Sequence, residues 1–588
     1  MSSFVSLTEV PVTDPAGGIL LDRLAARASS TPNRPAYTFV DYQQDVAGKP
    51  GTLTWAQAHE RAAALAARLR ELVEPGDRVA ILAPSGLEYV LAMFATWYAG
   101  AIAVPLFAPD LPGHRERLSG IYADCRPACV LTVASSQEAV RAFVAERAPV
   151  LTVEAIDETA PEDWTPVPTD PDTIAYLQYT SGSTRAPAGV EITHANLTAN
   201  VEQLRAALTG GRVRPSAVNW LPLFHDMGLL SILAFPLLQG GESVLMDPAA
   251  FLMRPSRWLR LLSGRSDVYT CAPNFAFDYC LRRVDPVDLD GLDLSGVFLW
   301  LNGAEPVRPE TVSRFAETYA GIGVRPEAMS AAYGLAEATV FVAADRIDRV
   351  PKITRFDRDH LAAGRAVQVA SDGESRALVS CGAPVGQRIA IVDPATSAVR
   401  ADGRVGEIRV SGPNVSRRYW NQPERTAEVF VDGWLRTGDL GLIHDGELYI
   451  TGRIKDLLIV AGRNHYPQDV EETVAARARV GRVAAFSVPV EGEERVVVVL
   501  ERSRSVGPDE WPPAQLTPSI RQAVWQHHEL ALHDVVLTEP GLVPRTSSGK
   551  VARSACRQNY LDGRFDTRLE ARLDGRLQGR FDGQRGAR

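Results

Sequence analysis

What most constrains this chain is an alternation that persists until about residue 400. Short apolar runs at 78–83, 102–107, 128–133, 174–179, 243–247, 268–272 and 297–302 are separated by stretches whose apolar residues fall at helical spacing, as at 18–28, 55–72 and 87–98. Runs of that length are strands too buried to show in/out alternation, and intervening amphipathic helices cover both faces of a parallel sheet. The expected fold class is therefore α/β: a large N-terminal body of several subdomains, with parallel sheets and covering helices. Around 378–412 the texture changes to short β-type runs split by Gly and Pro, which predicts a small antiparallel β subdomain within that body. From 469 to 537 helix and strand alternate on a smaller scale, which predicts a compact α+β domain at the C-terminal side.

At 588 residues the chain exceeds what one hydrophobic core organises. Its net charge of −9 argues against a nucleic-acid or membrane-surface protein, which needs a basic face. Six scattered cysteines suit reduced thiols and a cytoplasmic setting. The opening MSSFVSLTEV lacks a basic segment followed by an apolar one, so no signal peptide is expected. The 20 residues 90–109 carry no charge, yet Gly100 and Pro105 divide them into a buried helix and a core strand, so no stable membrane insertion is expected. From 562 a degenerate four-residue repeat places Arg at 564, 568, 572, 576 and 580. Its glycines and its drift against a 3.6-residue turn favour a disordered tail over 562–588, the alternative being a helix that docks on a partner.

Chemistry concentrates in a few segments. YLQYTSGSTRAPAGV (176–190) reads as a strand running into a hydroxyl-rich loop, where Gly182 and Gly189 let backbone N–H groups approach an anion and Thr180, Ser181, Ser183 and Thr184 add side-chain donors. It is not a Walker loop, because Val190 rather than Lys follows its second Gly. WLPLFHDMGLL (220–230) sets His225 and Asp226 between apolar runs, while LNGAEPV (301–307) closes a strand with a Gly turn. AAYGLAEATVF (331–341) offers an aromatic face in Tyr333 and a carboxylate in Glu337, of the kind that binds Mg²⁺ together with substrate phosphates. WLRTGDLG (434–441) presents Asp439, suited to a ribose diol, and PRTSSGK (544–550) ends a flexible loop on Lys550. HHELALH is a decoy: His528 and His533 are five apart, about 500° on a helix, so the rings diverge.

Taken in order, the hydroxyl-rich loop, HDMG, NGAEP, YGLAEAT, TGDL, GRIKD and PRTSSGK resemble the adenylate-forming superfamily over nearly the whole chain. The wording of LQYTSGSTRAPAGV, WLPLFHDMGLL, CAPNFAF, LVSCGAPVGQRIAIVDP, GEIRVSGPNV and GRIKDLLIVAGRNHYPQDVE is similar to the fatty acyl-AMP ligases. The resemblance implies an enzyme that uses ATP and Mg²⁺ to turn a fatty acid into its acyl-AMP, releasing pyrophosphate, and then hands the acyl group to an acyl carrier protein. Carried over motif by motif, Thr180, Ser181, Gly182, Ser183 and Thr184 would hold phosphates. Gly303, Ala304, Glu305, Tyr333 and Gly334 would receive adenine, and Asp439 with Arg453 the ribose. Glu337 would hold Mg²⁺. His225 would line the meeting point of acyl carboxylate and phosphate, with Asn274, Phe275 and Phe277 along the fatty-acid pocket. Lys550 would reach the α-phosphate and the attacking carboxylate.

The implied domains are a body over 1–453, a hinge at 454–456 with Lys455 as its pivot, and a mobile domain over 457–561. The superfamily usually carries Gly where Arg185 stands, Lys where Ala188 stands and Thr where Ala336 stands. The ligase branch shares the missing Lys. The stretch 352–376 falls where that branch carries an insertion, which separates the leading reading from a fatty acyl-CoA synthetase. A non-catalytic acyl- or nucleotide-binding scaffold is the remaining alternative.

Overall fold

The computed structural model describes residues 18–110, 114–156, 164–180, 187–370, 375–460, 463–477, 480–490, 493–507, 510–545 and 550–565. They fall into two compact units that divide between Thr451 and Gly452.

The first unit is built on two large, mostly parallel sheets. In the six-stranded sheet, Arg78–Leu82, Ile102–Leu106, Cys129–Thr132 and Ile174–Tyr179 occupy the places their apolar runs predict. In the nine-stranded sheet, Ser216–Asn219, Ser243–Met246, Val268–Pro273, Val297–Gly303 and Met329–Gly334 run parallel, joined by Pro35–Asp41. The α/β class is as the alternation predicts. The parallel rule stops at the edges, where Lys49–Thr54, Phe341–Ala344 and Gly189–Thr193 pair antiparallel. Each follows its partner through a connection too short for a parallel crossover.

Local signals set the helices. Trp55–Leu69 starts at a reciprocal cap between Thr54 and Gln57, and His194–Leu208 at the same device between Thr193 and Asn196. The uncharged stretch resolves into the helix Leu87–Tyr98, nearly all of it buried, and the strand Ile102–Leu106. No described helix is long and apolar enough to cross a membrane. The antiparallel sheet expected around 378–412 is present as Arg388–Val392, Gly406–Ser411 and Trp434–His444.

The second unit places Val480–Val490 antiparallel to Glu493–Arg502, which pairs parallel with Leu532–Thr538. The helices Pro467–Arg477 and Pro513–His528 bury Val470, Val474, Ile520 and Val524 in a cluster that also takes in Val498 and Leu500. Arg553, which opens the helix Arg553–Leu561, lies half-buried between Glu471 (2.6 and 2.7 Å) and Asp456 (3.1 Å). The start of the expected tail needs correction. Phe565 is buried in one apolar cluster with Val499, Val543 and Cys556, so the ordered chain runs past the last helix. Residues 566–588 of the repeat lie outside the described residues.

Candidate active site

The parallel strands of the nine-stranded sheet all deliver their next residues to one edge. From Ser216–Asn219 the chain first goes to its neighbour Ser243–Met246 and then returns across it to Val268–Pro273 on the other side. The connections diverge there, leaving a crevice outside the carboxyl ends of the strands, where ligands bind in open α/β sheets. His225, Asn274, Gly303 to Glu305, and Tyr333 to Glu337 all lie at or just beyond the carboxyl ends of these strands. Motifs scattered along the sequence thus share one edge.

Two of the strand ends are locked together. The Asn274 side-chain oxygen accepts from Asn302 Nδ2 (3.0 Å) and from the Arg308 N–H (3.1 Å), while its Nδ2 donates to Thr311 Oγ1 (3.1 Å). Glu305 Oε1 accepts the Phe275 N–H. Asn274 is therefore buried and committed within the sheet edge. The Phe275 ring meets Trp220 edge-on, and Phe277 is wholly buried against Trp258 and Phe315.

The next strand end brings in Tyr333. Its hydroxyl donates to Asp439 Oδ2 at 2.7 Å, with both side chains buried. The backbone beside it admits no side chain: a Cβ on Gly334 would stand 1.8 Å from the Val340 carbonyl. Ala304 takes a left-handed φ of 65°, a strained setting for a non-glycine residue next to Gly303.

On the other flank, His225 Nδ1 lies 2.6 Å from Asp226 Oδ1, and both side chains are about one fifth exposed. Their segment is fastened at two points: Ser85 Oγ accepts the Leu223 N–H (3.0 Å), and Gln178 Nε2 donates to the Phe224 carbonyl (3.2 Å). Immediately after them the helix widens into a π turn over Leu229–Ala234. Buried Tyr269 and Tyr37 donate to the carbonyls of Ser231 and Leu233 there, each at 3.0 Å. Burial pushes both phenols well above the ordinary tyrosine range, so they stay proton donors. Thr180 closes the strand before the hydroxyl-rich loop, its N–H donating to the Ala188 carbonyl at 3.2 Å. Ser181, Gly182, Ser183 and Thr184 lie outside the described residues.

Glu337 is half-buried and accepts a 2.7 Å hydrogen bond on Oε1 from the Tyr419 hydroxyl. Among the described residues no Lys, Arg or His pairs with it, and no group of three or more potential ligands could cage a metal by itself. A carboxylate with no Lys, Arg or His paired to it among the described residues fits Mg²⁺, which is held by one or two carboxylates plus substrate phosphates. The turn carrying Glu337 is clamped: the Ser416 N–H donates to its carbonyl (2.9 Å), and Thr339, at φ 65°, donates its hydroxyl to the Asn414 carbonyl (2.7 Å).

The remaining predicted residues belong to the second unit. Arg453 ends the strand Glu447–Arg453, and Lys455 sits in the 3₁₀ turn Ile454–Asp456, both of them exposed. Lys550 is half-buried, and the Val551 that follows it pairs with Arg545.

Several participants escape the sequence reading. Tyr419, in an undistinguished RRYWNQP, reaches Glu337. Asn414 ties Gln387, Gln203 and the Ala338 carbonyl together in a buried network. Tyr179 donates to Asp124 at 2.6 Å, and its ring would meet a Cβ on Gly189 at 3.0 Å, which is why that position is glycine. Only Gly189 leaves a trace in the sequence.

Comparison with known proteins agrees with this geometry. The AMP-binding enzyme family description matches residues 24–420, and the AMP domain of the Disco-interacting protein 2-like description matches 455–569. The chain is 42% identical to the long-chain-fatty-acid–AMP ligase FadD32 of Mycolicibacterium smegmatis, covering 93% of this chain and 95% of that one. It is also 42% identical to FadD26 of Mycobacterium tuberculosis, a protein of the same description, over 95% and 99%. A structure from a study of fatty acyl-adenylate ligases of E. coli and L. pneumophila superposes with a TM-score of 0.84 at 33% identity, covering 93% and 98%. The L. pneumophila ligase in complex with acyl adenylate and pyrophosphate gives 0.73 at 35%, covering 92% and 96%. With more than half its length under one family description and near-complete coverage of these relatives, the chain belongs to the AMP-binding enzyme family, in the branch of the fatty acyl-AMP ligases.

Proposed function

We propose that this enzyme activates a long-chain fatty acid as its acyl-AMP and passes the acyl group to the phosphopantetheine thiol of an acyl carrier protein. A carboxylate oxygen attacks the α-phosphate of ATP, the α–β bond breaks, and pyrophosphate leaves. The thiol then attacks the acyl carbon, forming a thioester and releasing AMP. The observation that carries the reading is the buried Tyr333–Asp439 pair at the strand edge, which supplies a ring face and a carboxylate where adenosine needs both. Glu337 would hold Mg²⁺, which when bound offsets the charge of the ATP phosphates.

The chain's own groups do the rest mainly by position and charge. Thr180 with the loop after it offers donors to the phosphates. His225, oriented by Asp226, faces the acyl carboxylate. Lys550 offers a cation to the oxygens where negative charge builds, and the C-terminal domain turns on Lys455 between the two half-reactions. The setting is cytoplasmic, as the absence of cysteine pairing among six buried thiols favours.

A second reading has specific support. A relative described as a putative fatty-acid–CoA ligase of M. tuberculosis is also 42% identical. The 352–376 stretch favours the carrier. Its hairpin, Ile353–Asp357 with Ser375–Val379, is anchored by Thr354 on Tyr449 (2.8 Å) and by Arg376 on the Thr451 carbonyl (3.1 Å), next to the proposed hinge. Incubation with labelled fatty acid, ATP and Mg²⁺ tests both. Acyl-AMP without efficient acyl-CoA on adding CoA is expected, and CoA use gained on deleting 352–376 ties the choice to the hairpin. No acyl-AMP overturns the first reading.

A further inference from the structure

The C-terminal part of the first unit sends a short strap, residues 413–422, across the hairpin Ile174–Tyr179/Gly189–Thr193 that carries the hydroxyl-rich loop. The Trp420 N–H donates to the Gly189 carbonyl (2.8 Å), Gln422 Nε2 to the Pro187 carbonyl (2.9 Å), and Tyr419 pairs with Val190. Tyr419 is buried at 4% exposure. Its ring lies against Phe430, with the Arg425 guanidinium 4.4 Å above its centroid, and the Thr426 hydroxyl accepts its N–H at 3.0 Å. Every part of the residue is therefore fixed, and its hydroxyl points at Glu337 Oε1 at 2.7 Å.

A glutamate carboxylate on three rotatable bonds has no intrinsic reason to stay where a metal–phosphate group needs it. Here one oxygen is held by a phenol locked at ring and backbone, and the same residue is stitched to the base of the phosphate loop. We propose that Tyr419 is a positioning residue for Glu337, fixing the carboxylate relative to the strand Gly189–Thr193 so that its second oxygen meets the divalent cation of the ATP complex. The inference rests on the proposed function. Hydrogen-bond partners of metal-binding carboxylates typically govern affinity or rate by 10–100-fold.

The test uses the full chain with ATP and no fatty acid, so that no turnover occurs, and follows Mn²⁺ binding by electron paramagnetic resonance. Tyr419→Phe keeps the ring and removes the hydroxyl. It should raise the Mn²⁺ midpoint about tenfold, and in turnover it should raise the Mg²⁺ requirement while leaving KM for the fatty acid unchanged. Glu337→Gln should lose the Mn²⁺ signal, and the Tyr419→Phe/Glu337→Gln double variant should be no worse than Glu337→Gln alone. If Tyr419→Phe melts well below the parent, a ring-fluorinated tyrosine at 419, which keeps the shape but changes the donor, should still move the midpoint. A midpoint unmoved by either substitution, or additive losses in the double variant, overturns the proposal. An unsubstituted protein that binds no Mn²⁺–ATP overturns the functional reading instead.

Discussion

The Tyr333 hydroxyl and Asp439 Oδ2, 106 residues apart in sequence, meet at 2.7 Å with both side chains buried, so the expected adenine-stacking ring and ribose-binding carboxylate hold each other in place before a nucleotide arrives. A hydrogen bond to a charged acceptor is worth about 1.5–3 kcal/mol. Tyr333→Phe keeps the ring face and removes that bond. Its KM for ATP should rise roughly tenfold or more, and KM for the fatty acid should stay unchanged in a pyrophosphate-release assay. A KM for ATP equal to the parent's refutes the pre-arrangement.

Lys550 is half-buried beside Val551, which pairs with Arg545. Lys550→Ala should slow acyl-AMP formation by about 10²–10³-fold, the scale of losing one donor at developing charge. Hydrolysis of preformed acyl-AMP and ATP binding should change little. Rapid-quench measurement of a single turnover reads the chemical step directly.

Arg553 is half-buried between Glu471 and Asp456, which outweigh its lost hydration and hold its pKa above the ordinary arginine value. Removing one partner costs about 3–5 kcal/mol for a fully buried pair and about 0–1 kcal/mol for an exposed one, and this partly buried cluster lies between the two. Arg553→Ala should therefore unfold the C-terminal unit at markedly lower denaturant while the first unit keeps its transition. Because Asp456 adjoins Lys455, adenylation should also fall.

His194 opens the helix His194–Leu208 with its ring edge-on to Trp97, and burial pulls its pKa down from the usual value to about 4. The unfolded chain thus binds a proton below about pH 6.5 that the folded chain refuses. This contribution to stability is intact above pH 6.5, falls as pH drops, and is fully lost once pH passes below the folded value. Between pH 7 and 5 the protein should lose about 2 kcal/mol relative to His194→Gln. Paired thermal melts at the two pH values check it.

Much of the fold was legible because its strands are short apolar runs and its helices begin at Thr-led caps, both of them local signals. Ile174–Tyr179 and Leu87–Tyr98 could be read to the residue. The antiparallel edges were not, since Gly189–Thr193 differs from a parallel strand only in the shortness of its connection. For the site, ordered motifs mark residues that come off strand ends one at a time, as Tyr333 and His225 do. Tyr419 and Asn414 act through partners dozens to hundreds of residues away, and nothing in RRYW or GPNV announces that reach. Phe277, grouped in sequence with the acyl pocket, turns with its helix into the core beside Trp258, because neighbours on a helix do not share a face.

The strap over the phosphate-loop hairpin has a consequence for synthesis. Gly189–Thr193 is the last strand of its sheet, and the cover supplied by Tyr419 to Gln422 is made 235 residues later in the case of Gln422 and Pro187. A nascent chain that has left the ribosome only as far as residue 400 presents that strand with bare N–H and C=O groups, an invitation to pair with a neighbour. Fragments ending before 413 should accordingly aggregate where fragments ending after 431 remain dispersed, so the same few residues that close the catalytic edge also bring its window of vulnerability to an end.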